Sequence, residues 1–169
     1  VEAVATRGTE DFRADDAFLD DVDRVIVASQ TLDERLLAEA IAQSALLLEE
    51  ERAPRTCAYF KEQLPYTNRL IHVRWSGEAM WIPLGETETG LEFENHTSHP
   101  APGQMLLYPG GYSETEYLLP YGGCRFSSVV GQLAGNHFLT VVEGLEHLRP
   151  LGERTLWEGA QEILIEVAG

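Results

Sequence analysis

The sequence predicts a mainly β fold, a closed or partly closed β-barrel with a helix plugging each end. About seven or eight short segments are apolar and rich in β-branched or aromatic residues, and Gly and Pro separate them. Only two segments after residue 51 have helical character, and there is no internal repeat. With 169 residues and 44% hydrophobic content, the chain can form one domain with its own core.

The first part of the chain is acidic and poor in large apolar residues. Residues 1–23 hold eight acidic and two basic side chains. Such a segment cannot offset the entropy lost on ordering, so we expect a flexible arm over 1–23 and a single domain over 24–169. Residues 24–29 are β-branched and predict a strand. Residues 34–51 have helical propensity, but the apolar run within them also suits a buried strand.

The remaining elements have clearer signals. Pro54 begins a helix that Pro65 ends. Strands at 70–75 and 79–84 flank a Ser-Gly-Glu turn and predict a hairpin. Further elements are expected in this order: a strand at 103–108, a strand at 116–119, a glycine-rich loop with a short strand at 121–135, a strand at 137–142, a helix at 145–159 interrupted by Pro150 and Gly152, and a strand at 163–167.

The charge balance excludes several classes of partner. Lys and Arg number 12 against 28 Asp and Glu, so the formal net charge is -16. This charge repels nucleic acid and anionic membrane surfaces, and no apolar stretch of about 18 residues is present to span a bilayer. The N-terminal residues lack the pattern of a secretory signal, and two cysteines make no disulfide framework. We therefore expect a cytoplasmic protein.

Seven short motifs carry a family resemblance: residues 53–57, 74–78, 113–116, 121–126, 133–138, 142–145 and 157–161. In content and order they resemble motifs of the DUF3830 family, a bacterial family of unknown function with a cyclophilin-like fold. The resemblance covers about residues 44–167. It implies a cyclophilin-like, eight-stranded barrel with two capping helices, a strand rather than a helix at 44–49, and no established reaction.

The same fold houses peptidyl-prolyl isomerases, and residues 141–145 resemble their strand-to-helix corner. Their catalytic segment, an Arg followed by Phe-Met-x-Gln-Gly-Gly, is missing here. Arg125 and Phe126 are followed by Gln132 at a different spacing, and the second Gly is absent. Since a fold does not determine a function, isomerase activity remains an alternative only.

Two carboxylates are candidates for general acid–base catalysis. Glu114 and Glu116 are two residues apart, so a strand places them on one face. Mutual repulsion there can raise one pKa and create a general base, while a solvated strand end is the alternative. Tyr112 and Tyr117 flank them and offer ring walls.

Two arginines are candidates for binding a carboxylate, because the guanidinium fork matches it bidentately. Arg74 shares a strand face with His72, and Arg125 lies in a glycine-rich loop whose N–H groups can surround an anion. The alternatives are that Arg74 pairs with a buried Glu and that Arg125 pairs with Glu114 or Glu116.

His137 follows Asn136 at a strand start and can act as a general acid or base, although a lone histidine also serves structural roles. The sequence lacks a nucleophile elbow and a phosphate-binding loop. Lys61 is the only lysine, which disfavours Schiff-base chemistry.

Together these residues predict a small-molecule site in or at the mouth of the barrel, used by either an enzyme or a binder. The expected ligand is a small carboxylate- or amide-bearing metabolite, and any reaction would be acid–base, hydrolytic or isomerising, without metal or cofactor. The alternatives are a peptide-binding module or prolyl isomerase, and a non-catalytic oligomeric interaction protein; we expect a homo-oligomer. The candidate catalytic residues are Glu114 and His137, and the candidate substrate-binding residues are His72, Arg74, Trp75, Tyr112, Ser113, Glu116, Tyr121, Arg125 and Asn136.

Overall fold

The computed structural model describes the backbone of residues 25–28 and all of residues 44–167. The predicted acidic arm at 1–23 and the undecided stretch at 34–43 lie outside the described residues. Within the described part, the prediction of a mainly β, barrel-like fold with two helices is confirmed.

The described residues form eleven strands and two α-helices. The strands are β1 (Val25–Ala28), β2 (Ala45–Leu48), β3 (Tyr66–His72), β4 (Gly77–Gly85), β5 (His96–Thr97), β6 (Gln104–Tyr108), β7 (Thr115–Cys124), β8 (Ser127–Ser128), β9 (Gly131–Gln132), β10 (Gly135–Val141) and β11 (Gln161–Val167). The helices are α1 (Pro54–Lys61) and α2 (Leu148–Trp157), and a 3-10 turn over Leu145–His147 precedes α2.

Nine of the strands form one strongly curled antiparallel sheet. Its order is β2-β1-β11-β3-β4-β7-β6-β10-β5, and β2 also pairs with β10. Because β2 pairs with β1 and with β10, the order of neighbours returns on itself through eight strands. β5 pairs with the start of β10, while β8 and β9 form a separate small hairpin.

The apolar run at residues 45–48, which also has helical propensity, forms the strand β2. Leu46 and Leu48 are buried while Ala45 and Leu47 are partly exposed, which is the two-residue period of a strand. Pairing with β1 and β10 outweighs the helical propensity of these residues. The strand implied by the family resemblance is therefore confirmed.

Several element boundaries differ from those predicted. β3 begins directly after Pro65 and ends at His72, so Arg74 and Trp75 lie in the turn. β7 is ten residues long and continues through Pro120 into the glycine-rich stretch, where a loop was expected. Pro150 is the third residue of α2. An N–H group at this position has no hydrogen-bond partner within the helix, so proline is tolerated there.

Gly152 sits in α2 because the helix packs directly on a tyrosine. A Cβ at this position would run into the Tyr121 ring. The glycine therefore brings the helix backbone onto the end of β7.

The barrel interior is built around four aromatic rings. Phe60 of α1 lies 5.0–5.8 Å, centroid to centroid, from Tyr66, Tyr117 and Phe138. The Tyr117 hydroxyl accepts a hydrogen bond from Gln63 Nε2 at 3.0 Å, so its buried polar atom is satisfied. These rings anchor α1 to the strands, since aromatic pairs at such distances add to the energy of burial.

A second apolar cluster lies on the outer face of β4, β6 and β7. It contains Ala79, Leu106, Tyr108, Leu118, Phe126 and Leu133. The last two belong to residues 125–134, which we call the cover segment. This segment carries the β8–β9 hairpin and buries strand side chains that would otherwise face water.

We expect Phe60→Ala to lower the free energy of unfolding by about 3–5 kcal/mol, because it empties the centre of the aromatic cluster. Urea unfolding measures this change. Glu62→Ala, an exposed change just beyond the same helix, should stay within about 0.5 kcal/mol of wild type. Equal losses in the two variants would contradict this account of the core.

Candidate functional site

The candidate site is a pocket of about 130 Å³ beside the outer apolar cluster. We call it the outer pocket. Its wall comes from the turn after β3, from β4, from the start of β7 and from the cover segment: Val73, Arg74, Trp75, Ser76, Trp81, Ser113, Glu114, Glu116, Ser127, Ser128 and Val129. The sequence analysis expected a site in or at the mouth of the barrel, whereas this pocket lies on the outer face of the sheet.

Strand alternation places Glu116 on that outer face. Its neighbours Tyr117 and Leu119 belong to alternate positions that pack in the barrel interior, while Leu118 packs outward. Glu116 is opposite Pro83 of β4 and Tyr108 of β6 in the sheet register. Glu114, just before β7, lines the same pocket, as the spacing of the two glutamates predicted.

Ser76 fixes the β3–β4 turn to the cover segment. Its hydroxyl donates to the Ser127 carbonyl at 2.9 Å and accepts the Ser127 N–H at 3.1 Å. Its own carbonyl accepts the Arg125 N–H at 2.9 Å. These three bonds hold Arg74 and Trp75, the residues just before Ser76, against the hairpin that forms the opposite wall.

Glu116 is a buried carboxyl group with no hydrogen bond or ion pair to any of the described residues. Its relative exposure is 5%. Burial, with a smaller contribution from the charge of Glu114, raises the pKa of Glu116 to about 8. The group is therefore mostly protonated at neutral pH.

Arg74 is the cation of the outer pocket. Its guanidinium forms no hydrogen bond or ion pair with the part of the chain that the structure describes, and its side chain is exposed. The predicted alternative, an ion pair with a buried Glu, is not formed among these residues. All five donors of the guanidinium remain available for a ligand.

Arg125 lies in a neighbouring hollow. This wider depression of about 530 Å³ is lined by Arg125, Gly77, Gly123 and Cys124, and it shares Trp75, Ser76 and Ser127 with the outer pocket. The Arg125 guanidinium donates to Gln132 Oε1 at 3.2 and 2.7 Å rather than to Glu114 or Glu116. The two arginines thus line adjacent hollows on either side of Trp75.

His72 and Tyr121 pair with each other and do not line the outer pocket. His72 Nδ1 is 2.7 Å from the Val73 carbonyl oxygen, and its Nε2 is 2.8 Å from the Tyr121 hydroxyl. Because a carbonyl only accepts, Nδ1 carries the proton and Nε2 accepts from the tyrosine. The Tyr121 ring also lies under the Arg149 guanidinium, so this pair belongs to the packing around α2.

Asn136 holds the loop before β5 to the barrel. Its Oδ1 accepts the Glu94 N–H at 3.0 Å, and its Nδ2 donates to Thr56 Oγ1 at 3.1 Å and to the Glu92 carbonyl at 2.9 Å. With no exposed surface, Asn136 has its polar atoms occupied by the protein itself.

His137 is buried beside Asn136 and does not line either hollow. Its Nε2 is 2.8 Å from Thr140 Oγ1 and 3.7 Å from Glu49 Oε1. Burial lowers the pKa of His137 despite the opposing charge of Glu49, which favours the neutral ring. The structure thus does not bring His137 together with Glu114, its predicted catalytic partner.

Tyr112 stands apart from all of these groups. Its side chain points into solvent, 90% exposed, and its N–H donates to the Tyr108 hydroxyl at 3.1 Å. Of the predicted site residues, the structure gathers Arg74, Trp75, Ser113, Glu114 and Glu116 around one pocket.

Sequence reasoning missed six of the wall residues, and Trp81 and Ser76 are two of them. The signal for Trp81 was the unbroken apolar run from Ala79 to Ile82, which indicates a strand covered on both faces. Ser76 was placed in a turn, and its bonds to a segment some fifty residues away left no local signal.

The described residues contain no group of three or more His, Cys, Asp or Glu side chains arranged to hold a metal ion. None of the helices in residues 44–167 has the length and apolar character to cross a membrane.

Glu116→Gln should make the free energy of unfolding less dependent on pH. The wild-type carboxyl keeps its proton up to about pH 8 when folded but loses it near pH 4.5 when unfolded. Stability from Glu116 therefore falls as pH rises between these values, by at most about 1.4 kcal/mol per unit. Between pH 5 and pH 8, the free energy of unfolding of the glutamine variant should rise relative to that of wild type, as measured by urea unfolding. The control is Glu166→Gln, exposed on β11; a pH-independent difference for Glu116→Gln would contradict the assignment.

The solved structures that are similar to the chain include those of McbB and AF2241. The structure of McbB in complex with tryptophan matches 86% of the chain with a TM-score of 0.62 and 16% identity, and the chain spans 45% of McbB. The solution structure of the hypothetical protein AF2241 from Archaeoglobus fulgidus matches 87% of the chain and 95% of its own length, with a TM-score of 0.47 and 14% identity. At this identity the likeness to McbB concerns the fold alone. No curated protein sequence matches the chain.

The sequence comparison agrees with the motifs described above. The family model described as "Protein of unknown function (DUF3830)" matches residues 36–167, well over half of the chain. This chain therefore belongs to the DUF3830 family.

Proposed function

We propose that the protein binds a small carboxylate-bearing metabolite in the outer pocket, with Arg74 holding the carboxylate. The observation that carries this proposal is the Arg74 guanidinium, which lines the pocket without a partner among the described residues. A guanidinium and a carboxylate form two parallel charge-assisted hydrogen bonds, the strongest polar contact available to such a ligand.

The size and walls of the pocket support a small ligand. Its volume of about 130 Å³ is below the roughly 300–1,000 Å³ of sites for drug-sized molecules. The Trp75 and Trp81 side chains line it with apolar surface, and Ser113 and Ser128 add hydroxyl groups. Apolar walls with a few polar groups are typical of metabolite-binding sites.

A second candidate function is association with further copies of this chain through the rim of this pocket. Val129 and Val130 at the hairpin tip are 76% and 61% exposed, and Trp75 beside them is also exposed. Association through this rim predicts that Val129→Ser with Val130→Ser lowers the molar mass in light scattering. Unchanged molar mass would count against this second function.

Small carboxylates that bind should raise the melting temperature of the protein, because they stabilise the folded state by mass action. We expect hits among small carboxylic acids in a thermal-shift panel that also contains amides and cyclic imides. Arg74→Ala should weaken their binding roughly 10- to 100-fold in calorimetry, the range for losing charged hydrogen bonds.

Arg69→Ala is the matched control for this experiment. Arg69 belongs to the same hairpin, forms an exposed ion pair with Glu162 at 3.9 Å and does not line the pocket. It should leave carboxylate affinity unchanged. A panel without hits, or hits that bind Arg74→Ala as tightly as wild type, would overturn the proposed function.

A further inference from the structure

We infer that the Glu114–Glu116 end of the outer pocket accepts an ammonium group, so that the ligand is a small zwitterionic amino acid rather than a simple carboxylate. This inference rests on the proposed function, because it leaves the carboxylate of the same ligand with Arg74. It names the chemical class of the ligand.

The first support is that Glu116 is buried without a hydrogen-bond partner. The large majority of buried polar side-chain atoms in proteins have a hydrogen-bond partner, either in the protein or in ordered water. Glu116 is 95% buried, lines the outer pocket and has no such partner among the described residues. A ligand carrying N–H donors would supply the hydrogen bonds that the protein leaves unmade.

The second support is the charge around Glu116. The charged groups lining the pocket are Arg74 from the β3–β4 turn and Glu114 and Glu116 from the start of β7. The register neighbours on β4 and β6, Pro83 and Tyr108, bring no charge, and the cover segment contributes only Ser127, Ser128 and Val129. With two acids and one cation, the pocket matches a ligand that carries both an anion and a cation.

A ligand with a carboxylate alone would leave the acidic end uncompensated. The Arg74 guanidinium neutralises the ligand carboxylate, but the negative charge of Glu114 then has no cation in the pocket. An ammonium group gives charge-assisted hydrogen bonds to the glutamates and offsets the cost of ionising the buried Glu116. The structure therefore favours the zwitterion over its deaminated analogue.

Binding of the ammonium should be coupled to loss of a proton from Glu116. Burial and the charge of Glu114 raise the pKa of Glu116 to about 8 in the protein by itself. When the ammonium arrives, the carboxyl proton passes to the solvent and the carboxylate accepts the ligand N–H groups. The affinity for amino acids should consequently rise by up to tenfold per unit between pH 6 and pH 8, whereas a carboxylate without an amine has no such gain.

The test uses matched pairs of probes that differ only in the amino nitrogen. We would titrate the full chain in a calorimeter with glycine and acetate, L-alanine and propionate, and L-proline and cyclopentanecarboxylate. For at least one pair we expect the amino acid to bind roughly 10- to 100-fold more tightly at pH 8. Glu116→Gln should abolish this preference while the affinity for the simple carboxylate remains.

Glu116→Gln keeps the shape of the carboxyl and resembles its protonated form, so we expect the variant to fold. Glu114→Gln is the second variant and should reduce the preference by a smaller factor. Arg74→Ala should weaken both members of each pair.

The outcomes separate this inference from the proposed function. Simple carboxylates that bind through Arg74 as tightly as their amino acid partners would overturn the inference and leave the proposed function standing. An amino acid preference that survives Glu116→Gln would also overturn the inference. Binding of neither member of any pair would overturn both.

Discussion

Burial of both faces of β4, β6 and β7 is the constraint on which the site depends. Most antiparallel sheets have one face in water, but here Leu106 and Leu118 point outward while Leu107 and Tyr117 fill the barrel. The outward residues need a cover, and the segment at 125–134 provides it with Phe126 and Leu133. The outer pocket forms where this cover meets the β3–β4 turn.

Glu116 is a carboxyl group on this otherwise apolar outer face of the sheet. The same strand parity that buries Leu118 also faces Glu116 outward, beneath the cover and away from water. A buried carboxyl without a partner costs stability, and such local conflicts are common where a protein binds or reacts. Arg74, held by the Ser76 bonds to the cover segment, lines the same space. The pocket thus contains a buried carboxyl group without a partner, and hydrogen bonds of Ser76 fix two of its walls to each other.

Much of the fold could be predicted from local patterns, because alternation and turn residues act over a few positions. The shared face of Glu114 and Glu116 follows from their spacing alone, and the strand at 45–48 followed from a family resemblance. The separation of His137 from these glutamates could not be predicted, since it depends on which strands are neighbours. The same is true of Arg125, whose partner Gln132 is set by the β8–β9 hairpin.

The cover segment connects β7 to β10 without contributing to the barrel interior. Its tip, with Val129, Val130 and Gly131 exposed to solvent, belongs to none of the eight strands that form the ring. Changes in length or composition at this tip would reshape one wall of the pocket and leave the scaffold intact. Because the tip belongs to none of the barrel strands, related proteins can vary it at little thermodynamic risk.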